Sequence, residues 1–105
     1  MKKHDKTLLV IFAEAVLEKR LVADAKRFGA HGYTVWDVRG ASGLGSDHSQ
    51  TREGVWDSDR TVEMKLICST EVADAFAEHV MTNYAPHHGV SLYFAQVQVL
   101  RAEKF

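Results

Sequence analysis

Three glycines fall within the six residues Gly40-Ala41-Ser42-Gly43-Leu44-Gly45. Glycines crowded in this way permit positive φ and successive main-chain N–H groups turned toward one point, which is the chemistry of an anion-binding nest. The spacing is neither the dinucleotide fingerprint nor a glycine-lysine-serine phosphate loop, so the segment by itself also suits a merely flexible connection. Cations able to meet an anion are few and local. Arg101 and Lys104 stand close together near the end of the sequence, where both could turn toward one anion or lie in solvent. Arg52 and Arg60 are the cations of the glycine-bearing stretch, and either could clamp an oxyanion such as phosphate or face a partner.

Six histidines invite a metal reading. His87 and His88 are adjacent, however, which suits neither a helical ligand pair nor one strand face, and a turn accounts for them better. His79 reads as a boundary residue of a helix, His31 lies between turn glycines, and His4 and His48 fall in polar segments. Asp47 with His48 could hold a divalent ion, but no resident metal site is expected. The single cysteine, Cys68, excludes an internal disulfide and sits in an alternating apolar segment that predicts a buried, inert thiol. The chain offers no Ser-His-Asp spacing, Cys-His pair or local pair of carboxylates, so an enzyme is not expected. Trp56, in polar surroundings, either packs back on the body or anchors a partner.

The elements that must position these groups fit one domain, residues 1–105, because 105 residues are too few for two. Lysine plus arginine number 13 against 14 acidic residues, so no global basic field exists to hold a nucleic acid or an anionic membrane. The apolar run Leu8 to Ala13 is far short of the ~18 residues of a membrane span, and the start of the chain lacks signal-peptide character; a cytoplasmic protein is expected. The β-branched run Thr7 to Ala13 predicts a strand. Leu17, Leu21, Ala25 and Phe28 recur at helical spacing from Ala15 to Phe28, and Gly29 closes that helix. Tyr33 to Arg39 alternates as a second strand, and Thr61 to Cys68 as a third. Between them residues 40–59 carry no sustained period, an unusually long loop for a compact domain unless it has a function. Thr70 is the expected N-cap of a second helix with a stripe of Val72, Phe76, Val80 and Tyr84, and Val90 to Leu100 is a fourth strand.

The order βαββαβ predicts an α+β, ferredoxin-like fold with both helices on one face of a four-stranded antiparallel sheet. The opposite face must be covered, and in a chain with no spare element the simplest cover is another copy.

Gly32-Tyr33-Thr34-Val35 opening the second strand, Gly40 opening the long loop, and the ending Leu100-Arg101-Ala102-Glu103-Lys104-Phe105 give the whole chain a resemblance to the PII signal-transduction superfamily. Within it, the chain is similar to PII-like proteins of inorganic-carbon handling, the bicarbonate-transporter-associated and carboxysome-associated members. The resemblance implies a homotrimer with nucleotide sites in the clefts between subunits. Residues 40–59 would be the T-loop that signals to a regulated transporter or carboxysome-related protein. It places Thr34 beside adenine or ribose and Gly40 with Ser42 where backbone approaches the nucleotide. Lys65, Leu66 and Ile67 fall along the adenine, Gly89 and Val90 near phosphate, and Arg101 on the phosphates. The candidate nucleotide-binding set also takes in Gly32, Tyr33, Val35, Ala41, Gly43 and Lys104, with Ser42, Arg60 and Arg101 for a bicarbonate or other anion.

There are departures. Val90 follows Gly89 where nitrogen-regulatory PII proteins have a lysine, and no tyrosine lies between Tyr33 and Tyr84 to be uridylylated. Leu44, Gly45 and Ser46 stand where the bicarbonate-transporter-associated branch carries arginines. The expected ligand is therefore AMP or ADP over ATP, with no covalently bound cofactor. Two alternatives stay open: a trimeric divalent-metal-tolerance protein of the copper-tolerance type, and a docking module that binds no ligand.

Overall fold

A computed structural model describes residues 1–39 and 60–105. The elements run β1 (His4–Glu14), α1 (Glu18–Arg27), β2 (Gly32–Val38), β3 (Thr61–Cys68), α2 (Thr70–Asn83) and β4 (Val90–Val99). Short 3-10 turns, Ala15–Leu17 and Ala102–Lys104, precede α1 and follow β4. The sheet order is β2-β3-β1-β4 with every pair antiparallel, the expected ferredoxin-like α+β arrangement.

β1 begins at His4 rather than Thr7, because His4, Asp5 and Lys6 pair with Val99, Gln98 and Val97. Ladder hydrogen bonds are main-chain bonds and do not require apolar side chains. The first helix is shorter than its apolar periodicity suggests. Its first turn is 3-10, and its end is set by Gly29 at φ 95°, with Gly29 N–H bonded to Lys26 C=O and Ala30 N–H to Ala25 C=O. This is a Schellman closure, which needs the left-handed residue that glycine supplies.

The second helix is capped by Ser69, not Thr70. Ser69 is extended and its Oγ accepts from Val72 N–H at 3.2 Å, while the Thr70 hydroxyl pairs with that of Thr7 at 2.8 Å. The buried stripe of α2 is Ala73, Phe76, Ala77 and Val80; Val72 is only half-buried. These four follow the i, i+3, i+4, i+7 pattern of a helix lying on a sheet.

Leu9, Ile11 and Ala13 of β1 and Met64, Leu66 and Cys68 of β3 meet Leu17, Leu21 and Ala25 on one side and the α2 stripe on the other. Both helices therefore cover the same face. Burial pushes the pKa of the Cys68 thiol up, as an inert core cysteine requires. The ladder registers place Thr34 and Trp36 of β2, Lys65 and Ile67 of β3, Val10 and Phe12 of β1, and Tyr93 of β4 together on the opposite, helix-free face. Trp36 and Tyr93 are each 51% exposed there.

Candidate functional site

The predicted ligand-binding residues separate into groups at opposite ends of the sheet. At one end Glu14, Thr61 and Val38 are ladder partners across three strands, and Val90 pairs with Ala13. Arg39, Arg60 and Gly89, which adjoin these strands, therefore lie at this end. Ala15 N–H is bonded to Arg60 C=O at 2.8 Å and Glu14 N–H to Gly89 C=O at 3.3 Å. At the other end Val99 pairs with His4, and Arg101 lies beyond it. The ten residues of β4 separate Gly89 from Arg101, roughly 33 Å at the rise of a strand. Within one copy, these two residues cannot touch the same phosphate.

Between the ends lies a polar and aromatic strip on the helix-free face. Thr34 pairs directly with Lys65, and the Lys65 ammonium stands 5.8 Å from the centroid of the Trp36 ring. This is cation–π distance, with the charged head still reachable from solvent. Ile67 shares that face, paired with Gly32. The register turns other predicted residues away from it. Leu66 is fully buried in the core, so only its main chain could meet a ligand, and Tyr33, Val35 and Val90 pack against the helix side. Gly40, Ala41, Ser42 and Gly43, together with Asp47, His48, Arg52 and Trp56, lie outside the described residues.

The tail after β4 reaches the far edge strand, where Phe105 meets Gly32 of β2. A Cβ on Gly32 would lie 2.3 and 2.5 Å from the Cδ1 and Cε1 atoms of Phe105, so the aromatic ring rests directly on the glycine backbone. Gly32 is thus covered by the Phe105 side chain. Arg101 and Lys104 are exposed, and Arg101 Nε donates to Glu103 Oε2 at 3.0 Å with both side chains about two-thirds exposed. Glu103 is held below the usual carboxylate range by its own main-chain hydrogen bond and by Arg101. So exposed a pair contributes little to stability and yields readily to a competing anion.

Gly32→Ala is expected to lift the Phe105 ring off β2 while leaving the sheet in place, since the closest atoms it meets belong to the outer part of a side chain and not to the backbone. Stability should fall by no more than about 1 kcal/mol. The heteronuclear NOE of the Phe105 amide should drop toward that of a free tail; an unchanged value would mean the ring accommodates the methyl group.

Two polar junctions had no signal in the sequence. Glu14 accepts from Gly89 N–H and His88 Nδ1, joining the end of β1 to the turn before β4. On the helix side, Asp24 accepts from Tyr84 Oη–H, from His79 Nε2 at 2.8 Å and from Arg27 at 2.7 Å. Asn83 Nδ2 faces His79 Nδ1 at 3.0 Å, which assigns the His79 proton to Nε2. Burial raises the Asp24 pKa, but the hydrogen bonds from Tyr84, His79 and Arg27 together outweigh it and hold the carboxyl below its ordinary value. Tyr84 moves the other way, raised by burial and by its bond to Asp24. Among the described residues, no group of three His, Cys, Asp or Glu is placed to hold a metal ion, and no helix is long and apolar enough to cross a membrane.

The family model for nitrogen regulatory protein P-II matches residues 6–104. A PII-like signaling protein from Thermus thermophilus is 36% identical, with a TM-score of 0.81 over 100% of this chain and 99% of that one. CPII from Thiomonas intermedia, in a structure with ADP, AMP and acetate bound, is 21% identical, with a TM-score of 0.77 over 100% and 98% of the two chains. The same protein bound to ADP and bicarbonate superposes with a TM-score of 0.73 at 20% identity, over 99% and 97%. None of the curated proteins compared matches.

Proposed function

The chain belongs to the nitrogen regulatory protein P-II family, and from that membership we propose that it is a PII-like regulator that binds an adenine nucleotide between copies of itself, assembled as a homotrimer. The observation that carries this reading is the separation of Gly89 from Arg101 by the length of β4. One phosphate can be met by both only when the Gly89 end of one copy adjoins the Arg101 end of another. The helix-free face bearing Trp36, Phe12 and Tyr93 supplies the apolar surface for such an assembly.

The ligand is AMP or ADP in preference to ATP, since Val90 brings no cation to the phosphates. Bicarbonate is the second ligand, with Ser42, Arg60 and Arg101 as its candidate contacts, and the CPII structure with ADP and bicarbonate supports the pairing. Residues 40–59 would report the ligand state to a regulated protein, a transporter or a carboxysome-related component. The switch works by population shift, each ligand favouring the loop state it binds better. The protein regulates and does not catalyse.

Calorimetric titration of AMP, ADP, ATP and cyclic AMP, with and without bicarbonate, tests this reading on the wild type and on Arg101→Ala. Wild-type binding of AMP or ADP should weaken by about ten- to a hundredfold in the variant, the worth of a charge-assisted hydrogen bond. Absence of heat with every nucleotide would overturn the reading in favour of metal binding or ligand-free docking.

A further inference from the structure

The carboxylate of Glu14 is gripped from two sides by the turn before β4. Oε2 accepts from Gly89 N–H at 3.1 Å and Oε1 from His88 Nδ1 at 3.0 Å. A carboxylate only accepts, so the His88 proton sits on Nδ1. The side chains of Glu14 and His88 keep 27% and 26% of their surface exposed, which leaves the junction within reach of a solute. Two N–H donors converging on two oxygens of one anion form the fork that phosphate or bicarbonate would use. Here the chain supplies the anion.

We infer that Glu14 is a built-in competitor for a ligand oxyanion at the His88–Gly89 fork, and that it limits how much negative charge the bound ligand carries. The inference rests on the nucleotide reading above and names the residue that would set its phosphate preference. An incoming oxyanion must displace the carboxylate or lie against it, and like charges about 4 Å apart in water weaken binding about fivefold. Each further phosphate adds to the repulsion, so ligands with fewer phosphates are favoured. Arg60 and Arg39 flank the same end of the sheet and attract both competitors, whereas the charge of Glu14 acts against the ligand alone.

Glu14→Gln removes the charge and keeps an oxygen able to accept from Gly89 N–H. Calorimetry on wild type and variant with AMP, ADP, ATP and bicarbonate alone distinguishes a nucleotide phosphate from a free anion. The affinity of a ligand whose oxyanion meets the fork is expected to rise about fivefold in the variant, with the larger rise for ATP than for AMP. A gain of that size for bicarbonate alone also supports the inference and assigns the fork to the free anion. Wild-type binding with no gain for any ligand in the variant overturns this inference and leaves the nucleotide reading intact. No binding of nucleotide or bicarbonate by the wild type overturns both. Should Glu14→Gln fail to fold, the wild type decides: saturation with ADP should move the Glu14 carboxyl carbon and Gly89 amide resonances, and if neither moves the inference is wrong.

Discussion

Asp24→Ala is expected to lower the free energy of unfolding by about 3 kcal/mol, since it orphans several donors at once. The Asp24 side chain is 10% exposed, and removing it leaves the buried Tyr84 hydroxyl and the His79 Nε2–H facing no acceptor. Arg27 is 60% exposed and loses little, because water replaces the carboxylate. Asp24→Asn should fall between, as one amide oxygen cannot serve three donors. The effect carries a pH signature. The folded-state pKa lies below the ordinary 3.8, so the stabilisation is full at neutral pH and disappears as pH falls through the depressed folded value. Urea denaturation of both proteins should show their stability gap narrowing below about pH 4. A gap that holds constant into strong acid would mean that ionisation of Asp24 is not what stabilises the junction.

Tyr93→Asp should leave single copies folded and disperse the assembly. Tyr93 is half-exposed in one copy, so the substitution costs the isolated fold little, and its ring lies 6.4 Å from that of Phe12 on the helix-free face. Between copies the new carboxylate would be buried without a partner, at several kcal/mol for each interface. Sedimentation should give a multiple of the 11.8 kDa chain for the wild type and the mass of one chain for the variant, with unchanged circular dichroism. A variant that keeps the wild-type mass would place the interface on another surface.

The sequence was most informative where side-chain pattern and burial coincide. β3 is bounded at Thr61 and Cys68 as its alternation predicts, because every second residue meets the helices. Pattern fails where the main chain alone decides, as in the extension of β1 through His4–Lys6, or where neighbouring hydroxyls compete, as at Ser69 and Thr70. It is silent on polar contacts made across the fold. Asp24 reads as the wet side of an amphipathic helix and Tyr84 as part of an apolar stripe, and only the packing of α1 on α2 makes them partners. Glu14 and His88 are likewise far apart in the chain. For the candidate site, the resemblance named residues, but the ladder registers decide which side chains share a face. They set Lys65 and Ile67 on the helix-free side and turn Leu66 into the core.

The strand order bears on how the molecule is made. β1 lies between β3 and β4, so Thr7 awaits Cys68 and His4 awaits Val99. The ribosome adds about 5–20 residues per second, and the charge-free run Leu8–Ala13 emerges seconds before either neighbour exists. Such a segment, rich in β-formers, is the kind that pairs with copies of itself when left open. Inserting it between two later strands closes long loops and should dominate the folding time. The hazard of aggregation accordingly belongs to the nascent chain; once folded, Leu9, Val10 and Ile11 have no surface left to offer.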